Sequence, residues 1–242
     1  MMEGNRGRLS AELFRMRCTD LPDPASEEAV LDGIPEGRRR EILRFRFPDD
    51  RKRSLAVTLL LGRALRERGL DLHQVRREDG GKPFVSADPP FFFSLSHAAE
   101  FALLAISERG PVGCDIEQIR GVTDGIAERY FSDAEKRLLL SCHTEEEKRK
   151  AFFRVWTGRE SYIKMTGEGM RLAFERYTLL PADPEREESA VSGGIIPARD
   201  GMERVPHLLP VFEVSREGIK EDCLVWQSVD NEGYCISVCA GR

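Results

Sequence analysis

A short alternating run, Gly113-Cys114-Asp115-Ile116-Glu117, constrains this chain more than any other stretch of it. As a β-strand, the run directs Asp115 and Glu117 to one face of a sheet and Ile116 to the other. Two carboxylates that close repel each other unless a positive charge lies between them. A hard cation such as Mg²⁺, completed by water and substrate phosphate, provides that charge. Two solvated acids at the end of a strand remain the alternative.

A second segment, residues 152–164, has the pattern of an amphipathic helix. Its apolar stripe comprises Phe152, Trp156 and Ile163. Glu160 and Lys164 lie one turn apart at the edge of the stripe, either as a solvated ion pair or as paired groups of a site. Arg159 falls inside the stripe, where a permanent cation needs an anionic partner.

The composition is that of an ordinary globular protein of 242 residues, which allows one large domain or two smaller ones. The net charge of −5 gives no general attraction to nucleic acid or to anionic membranes. The six cysteines include no CxxC pair and no zinc-site spacing. The sequence shows neither a signal peptide nor a stretch of membrane length. We therefore expect a reduced, cytoplasmic protein that binds neither nucleic acid nor membrane.

The hydrophobic periodicity gives a coarse order of elements. Helices are predicted over residues 54–68, 129–140 and 145–166. Strands are expected at 91–97, 101–106, 113–117, 211–214, 223–229 and 234–240. Gly69 marks the end of the first helix, and the run from Ser132 to Glu135 resembles a capping box. Residues 181–210 are rich in Pro, Gly and acids and are expected to form a surface insertion.

Three shorter signals place polar groups near these elements. The turn-prone run ending in Gly81-Lys82-Pro83 permits close backbone approach to a ligand, although an ordinary loop has the same composition. His97 follows Ser96 at a strand end, where a histidine is usually structural. Basic residues cluster between positions 38 and 53, as a solvated helix face or as a local anion site.

The order of these motifs resembles that of the Sfp-type 4′-phosphopantetheinyl transferases. These enzymes transfer the phosphopantetheine arm of coenzyme A to a serine of an acyl- or peptidyl-carrier protein and release 3′,5′-ADP. The matching stretches are Gly81-Lys82-Pro83 and residues 93–97, 112–117, 156–164 and 167–169, with a weaker likeness over 44–54. Each motif alone is weak, but their common order and spacing make the resemblance specific.

The resemblance implies a reaction centre. Asp115, Glu117 and Glu160 are the expected Mg²⁺ ligands, and the ion would bridge the pyrophosphate of coenzyme A. Lys164 corresponds to a lysine that contacts the same pyrophosphate. Glu160 is also the candidate base that takes the proton from the carrier serine, directly or through a water. Asp115, Glu160 and Lys164 are therefore the expected catalytic residues.

The resemblance also implies contacts to the nucleotide. The expected coenzyme A ligands are Arg38, Arg53, Ser54, Gly81, Lys82, Pro83, Ser96, His97 and Lys164. Among them His97 contacts a phosphate, the loop at Lys82 lies beside the adenine, and Arg53 and Ser54 lie near the 3′-phosphate. The helix motif usually has lysine at Arg159, and serine is frequent at Ala98, so these two positions depart from the family pattern.

The fold implied is α+β, with two similar lobes in one chain (a pseudodimer) and the active site in the cleft between them. We expect lobes at residues 1–110 and 111–242, a monomer, and a carrier-protein surface near residues 121–130. A carrier-binding module without turnover and a Mg²⁺-dependent phosphohydrolase of nucleotides are the alternatives.

Overall fold

In the computed structural model, the described residues are 9, 11–77, 81–121, 125–169, 176–182, 196–197, 201–205 and 208–241. The helices within these ranges are α1 (Glu36–Leu43), α2 (Pro48–Arg66), α3 (Ile126–Tyr130), α4 (Asp133–Leu140) and α5 (Glu145–Thr166). The strands are β1 (Glu12–Arg17), β2 (Arg76–Arg77), β3 (Pro83–Phe84), β4 (Phe92–Ala98), β5 (Phe101–Ser107), β6 (Val112–Gln118), β7 (Tyr177–Pro181), β8 (Ile196–Pro197), β9 (Met202–Arg204), β10 (Leu209–Arg216), β11 (Ile219–Val229) and β12 (Tyr234–Gly241).

The strands form two antiparallel sheets of five and a small pair. The first sheet has the order β4-β5-β1-β9-β8, the second has the order β6-β12-β11-β10-β7, and β2 pairs with β3. β4 and β6 are therefore both edge strands, one in each sheet. These two strands pack against each other, so the sheets meet at their edges. This junction positions the candidate site.

Apolar side chains fill three layers of core. One face of the first sheet packs on α2, where Leu60 and Leu104 are fully buried. One face of the second sheet packs on α5, where Val155 and Val225 are buried. A third cluster joins the two sheets and contains Ile116 of β6. Burial of each such side chain stabilises the fold by roughly 1.5–3 kcal/mol relative to an exposed one.

A buried cation ties the two sheets together. Arg15 of β1 is 2% exposed and donates to Glu203 of β9 at 2.5 Å, to Asp230 at 2.6 Å and to Glu232 at 3.0 Å. Asp230 and Glu232 lie in the turn between β11 and β12 of the second sheet. The guanidinium also lies 4.3 Å from the centre of the Phe101 ring. Three acids and a ring face thus offset the cost of burying this charge.

The predicted helices are confirmed with two changes of boundary. α2 begins at Pro48, six residues before the predicted start, because proline is favourable in a first helical turn. The predicted helix over 129–140 is wrong as one helix, because Phe131 has an extended backbone that separates α3 from α4. The capping box at Ser132 is confirmed at the start of α4. α5 spans the predicted residues and ends at Gly167, which has a φ of 75°.

The predicted strands are confirmed, and the structure adds others. β4 and β5 form the expected hairpin, and β10, β11 and β12 are the expected C-terminal strands. Residues 183–195, 198–200 and 206–207 of the expected insertion lie outside the described residues. Its residues Met202–Arg204 pair with β1 in the first sheet, and the Met202 side chain is buried. A segment of the later half therefore contributes to the sheet of the earlier half.

The cysteines behave as small core residues. None of the six forms a disulfide, and all except Cys142 are buried. Burial raises the pKa of Cys114 to about 11 and that of Cys235 to about 12, so these two thiols stay protonated near neutral pH. Across the described ranges, no helix combines the length and apolarity needed to cross a membrane.

Candidate active site

The site is built where α5 lies directly against β6. A Cβ atom added at Gly113 would lie 2.0 Å from the carbonyl oxygen of Ser161 and 2.3 Å from the backbone nitrogen of Met165. Real Cβ atoms do not come so close to backbone, so a side chain at this position would separate helix from strand. The glycine of the motif therefore sets the distance between the two elements that hold the predicted acids and Lys164.

Asp115 of β6 is the centre of the site and is 5% exposed. Its Oδ1 accepts a hydrogen bond from Oγ of Ser96 at 2.7 Å and one from Nζ of Lys164 at 2.7 Å. Lys164 also donates to Oγ of Ser96 at 2.9 Å. Asp115, Ser96 and Lys164, predicted from three separate motifs, are thus in direct contact.

The second carboxylate oxygen of Asp115, Oδ2, is buried and accepts no hydrogen bond from any described residue. A buried polar atom left in this way costs roughly 1–3 kcal/mol of folding free energy. Native proteins retain such an atom mainly where it serves a ligand, an ion or a reaction.

Two further acids repel Asp115. Burial, followed by the charge of Asp115, raises the pKa of Glu117 to about 7. Burial and then Asp115 also raise the pKa of Glu160 on α5. Lys164 opposes both shifts without cancelling them. The three predicted acids are therefore coupled electrostatically, and the nearby cations do not fully offset burial and mutual repulsion at Glu117 and Glu160.

Lys164 is the cation that pairs with Asp115. Burial alone would lower the pKa of Lys164, but the charge and hydrogen bond of Asp115 raise it above the ordinary value. The ammonium therefore stays charged across the physiological range. Within the described ranges, no three His, Cys, Asp or Glu side chains are grouped as ligands of one metal ion. The predicted Mg²⁺ ligands thus stay a prediction.

A cavity of about 790 Å³ opens beside Asp115 and Lys164. Its walls come from both halves of the chain, with an apolar part made by Val57, Leu61, Leu72, Val75 and Leu95. The predicted ligands that line it are Arg38, Pro83, Ser96, His97, Asp115 and Lys164. The volume is within the range of roughly 300–1,000 Å³ that is typical of small-molecule sites.

The Gly81-Lys82-Pro83 loop lines a smaller cavity of about 280 Å³ on the Lys164 side. Gly81 has a φ of 85°, which glycine adopts without strain. Nζ of Lys82 donates to the carbonyl oxygen of Met165 at 2.9 Å, in the last turn of α5. Lys82 thus ties this loop to the end of the helix that contains Lys164.

His97 lies on the wall of the larger cavity, and Arg53 lies near enough for its charge to act on the imidazole. The His97 side chain is exposed to solvent, although surrounding protein atoms partly desolvate it. Desolvation, followed by the charges of Arg53 and Lys164, lowers the pKa of His97 below its usual value. Arg53 of α2 donates to the carbonyl oxygen of Ala99 at 3.0 Å and to Asp50 at 2.5 Å. His97 is therefore a neutral group beside cations, which an anion would help to protonate.

Arg38 is held between α1 and α2. Its guanidinium donates to Oγ1 of Thr58 at 2.9 Å, to Oγ of Ser54 at 2.9 Å and to Glu41 at 2.7 Å. Ser54 is buried beneath it, 4% exposed. Ser54 thus positions Arg38 in this structure, and its predicted contact to a nucleotide stays a prediction.

Arg159 has the anionic partner that its position in the apolar stripe requires. Nη1 of Arg159 donates to both carboxylate oxygens of Glu135 at 2.7 and 2.6 Å, and both side chains are fully buried. Glu135 also accepts from the backbone nitrogens of Leu179 at 2.9 Å and Ser132 at 2.7 Å. The pair fixes α5 against α4 and β7, and it directs Arg159 away from Asp115.

Sequence reasoning missed several residues around the site. Ser94 accepts a hydrogen bond from the backbone nitrogen of Cys114 at 3.0 Å and so joins β4 to β6. Glu41 stands on the cavity wall between two arginines. Its spacing of three residues from Arg38 on one helix was the available signal. No local pattern indicates Ser94.

Comparison with known proteins agrees with the motifs. A family model described as the 4′-phosphopantetheinyl transferase superfamily matches residues 111–200. A model described as the N-terminal part of 4′-phosphopantetheinyl transferase matches residues 21–109. The 4′-phosphopantetheinyl transferase psf-1 of Bacillus pumilus is 36% identical over 173 residues, which span 69% of this chain and 73% of that protein. This chain belongs to the 4′-phosphopantetheinyl transferase family.

Other members of the 4′-phosphopantetheinyl transferase family show how far the likeness extends. The 4′-phosphopantetheinyl transferase ffp of Bacillus subtilis is 30% identical over 225 residues, 90% of this chain and 88% of that protein. Sfp of Bacillus subtilis strain 168 is 28% identical over 155 residues, 63% of this chain and 68% of its own. A solved holo-[acyl-carrier-protein] synthase of Thermotoga maritima covers 53% of this chain and 61% of its own, at 20% identity. Its TM-score of 0.32 is too low to define the fold. The resemblance seen in the motifs is confirmed as family membership.

Proposed function

We propose that this transferase moves the 4′-phosphopantetheine arm of coenzyme A to a serine of an acyl- or peptidyl-carrier protein. The observation that supports it best is the contact of Asp115, Ser96 and Lys164 beside a large cavity. The serine oxygen forms a bond to the phosphorus that bears pantetheine. The bond from this phosphorus to the bridging oxygen of the pyrophosphate breaks, and 3′,5′-ADP leaves.

We propose that residues 1–110 and 111–242 are two similar lobes and that the active site is the cleft between them. Residues 1–110 supply three strands of the first sheet (β1, β4 and β5) and residues 111–242 supply all five strands of the second, and each sheet has one long helix on a face, α2 on the first and α5 on the second. The edge strands β4 and β6 bring Ser96 of one half to Asp115 of the other. β9 crosses from the later half into the first sheet, which strengthens the junction. A monomer of two lobes would contain a complete site.

Coenzyme A fits the chemistry of the larger cavity. Its phosphates need cations, which are present as Arg38, Arg53 and Lys164 on or beside the wall, with His97 able to gain a proton. Its adenine needs apolar surface and backbone contacts, and the loop from Gly81 to Pro83 would offer both from the adjoining smaller cavity, with Pro83 lining both cavities. Lys164 would exchange part of its contact with Asp115 for an oxygen of the pyrophosphate.

The predicted ligand residues have the donor atoms of a magnesium site, although the three of them are not grouped as ligands of one ion among the described residues. Asp115, Glu117 and Glu160 offer hard carboxylate oxygens, as Mg²⁺ prefers. The partnerless Oδ2 of Asp115 and the raised pKa values of Glu117 and Glu160 indicate a shortage of positive charge among them. When bound, Mg²⁺ would offset the negative charge of the pyrophosphate and of the leaving 3′,5′-ADP.

Glu160 is the proposed base for the carrier serine. Burial raises its pKa, and a carboxylate with a higher pKa accepts a proton more readily near neutral pH. Help of this kind increases rates by typically about 10²–10⁴-fold. Glu160 would accept the proton directly or through a water as the serine oxygen attacks.

The carrier protein is proposed to dock on the groove between α3, α4 and α5. This groove has a volume of about 770 Å³ and is lined by four basic side chains, by apolar side chains and by the acids Glu128, Asp133 and Glu145. The basic and apolar side chains include Lys136, Arg137, Leu139, Leu140, Lys148, Arg149 and Phe152. The ring of Tyr130 on α3 packs edge-on against Trp156 of α5, one turn before Glu160. A carrier that is acidic around its serine would match these charges.

The test is the intact mass of a panel of apo carrier proteins after incubation with this protein, coenzyme A and Mg²⁺. We expect some members to gain one phosphopantetheine, and we expect EDTA to prevent the gain. Coenzyme A binding without any gain across the panel would favour a carrier-binding module without turnover. Cleavage of coenzyme A in the absence of a carrier would favour a phosphohydrolase. Either result would overturn the proposed reaction.

A further inference from the structure

The proposed coenzyme A cavity contains an acid on its wall, although coenzyme A is an anion. Glu41 of α1 lines this cavity together with Arg38 and Arg77. Its Oε2 accepts a hydrogen bond from Nη1 of Arg38 at 2.7 Å and lies 3.5 Å from Nη2 of Arg77. One carboxylate oxygen therefore bridges two guanidinium groups that face the ligand space.

The three side chains differ in their freedom to move. Arg38 is held by Thr58 and Ser54 of α2 and is 28% exposed. Glu41 is 42% exposed and Arg77 is 56% exposed, so both side chains can reorient towards solvent. The hydrogen bond from Arg38 lowers the pKa of Glu41, although burial opposes this effect. Glu41 is thus a charged group that can leave a fixed arginine.

We propose that Glu41 is an internal counter-ion, displaced from Arg38 and Arg77 by the ribose 3′-phosphate of coenzyme A. This inference rests on the proposed function, since it takes coenzyme A as the ligand. Glu41 would offset part of the positive charge of the two arginines in the free enzyme and would oppose the binding of the phosphate. It is therefore a specificity-determining residue, which sets how strongly coenzyme A is preferred over dephospho-coenzyme A.

Charge and hydrogen-bonding capacity decide the exchange. A terminal phosphate has up to two negative charges and three acceptor oxygens, and it can bind a guanidinium through two parallel hydrogen bonds. Glu41 offers a single oxygen to both arginines. The phosphate therefore displaces Glu41 from the arginines. The affinity for coenzyme A is nevertheless reduced, because the contacts of Glu41 must first break. The pyrophosphate is assigned elsewhere, to the wall formed by Asp115 and Lys164 of β6 and α5.

The test compares the binding of coenzyme A and dephospho-coenzyme A by calorimetry, with Mg²⁺ and without a carrier protein. We expect Glu41→Gln to bind coenzyme A about two- to fivefold more tightly, within the range for loss of a partly exposed ion pair. Dephospho-coenzyme A should bind the variant and the wild type with affinities within about twofold. Arg77→Gln should weaken the binding of coenzyme A alone.

Glu36→Gln is the matched control, because Glu36 lies on the same helix, is 72% exposed and pairs with Arg40 instead. It should change neither affinity. Unchanged or weaker binding of coenzyme A by Glu41→Gln would overturn the inference, as would equal tightening for both ligands. Wild-type protein that binds no coenzyme A would contradict the proposed function itself. The binding of coenzyme A by the wild type therefore distinguishes a failure of the Glu41 inference from a failure of the proposed function.

Discussion

Gly113 of β6 lies so close to Ser161 of α5 that a Cβ atom would come within 2.0 Å of the Ser161 carbonyl oxygen. The contact joins the strand that contains Asp115 and Glu117 to the helix that contains Glu160 and Lys164. Backbone meets backbone here, so no side-chain movement can relieve a clash. The relative placement of these four proposed site residues therefore depends on the absence of a side chain at Gly113.

Gly113→Ala should damage both stability and activity. Overpacking typically costs about 1–3 kcal/mol, and a clash with backbone places this variant at the upper end or beyond. A shift of α5 by about 1 Å would also lower the rate of transfer by roughly 10²-fold. Urea unfolding and the rate of carrier modification measure the two effects. Gly110→Ala is the control, since a Cβ there meets nothing within 4 Å; equal behaviour of the two variants would contradict the account.

The buried pair of Arg159 and Glu135 predicts a large loss of stability when only one partner is removed. Arg159→Met would leave the Glu135 carboxylate buried without its cation, which typically costs about 3–5 kcal/mol. Arg154→Met, on the exposed side of the same helix, should change the free energy of unfolding by less than about 0.5 kcal/mol. Denaturant titration measures both variants. Similar, small losses would show that the ion pair does not hold α5 in place.

The lowered pKa of His97 predicts that the stability of the free enzyme depends on pH. Because the folded pKa of His97 lies below the usual value of 6.5, the unfolded chain binds the proton more readily. The contribution of His97 is therefore fully present above pH 6.5 and is lost as the pH falls through the folded pKa. His97→Asn should make the free energy of unfolding less dependent on pH between about 7.5 and 5. If the free energy of unfolding depends on pH equally in the wild type and in His97→Asn, the pKa of His97 is not lowered in the folded protein.

Magnesium should stabilise the free protein through the three carboxylates. An ion that binds only the folded state at 100 times its dissociation constant adds about 2.7 kcal/mol of stability. We expect Mg²⁺ to raise the melting temperature of the wild type and EDTA to reverse the rise. Glu117→Gln should abolish or strongly reduce the effect, whereas Glu146→Gln, an exposed acid paired with Lys150, should retain it. The same rise in both variants would place the ion elsewhere.

The sequence predicts those parts of the structure that have a local pattern. The alternation around Asp115, the helical stripe around Arg159 and the hairpin that contains His97 all form as expected. The requirement that Arg159 have an anionic partner also follows from its place in the stripe. These predictions succeed because periodicity depends on neighbours along the chain.

The contacts that the sequence patterns do not predict join residues far apart in the chain. Glu135 is 24 residues from Arg159, and no local rule identifies it as the partner. Arg15 donates a hydrogen bond to Glu203, which is 188 residues away in the chain. Lys82 donates one to the carbonyl oxygen of Met165, which is 83 residues away. Such contacts exist only after the sheets and α5 have packed. Sequence patterns therefore locate the reaction centre but leave its supporting contacts undefined.

The most direct test measures the rate at which one apo carrier protein gains phosphopantetheine, by intact mass, with wild-type protein and with Asp115→Asn. Glu146→Gln is the control, and urea unfolding confirms that each variant is folded. The account predicts similar rates for the wild type and the control. It predicts a loss of at least about 10²-fold for Asp115→Asn, because this carboxylate holds Lys164 and is a proposed ligand of the ion. Transfer by folded Asp115→Asn at the wild-type rate would contradict the central claim that the reaction takes place at Asp115.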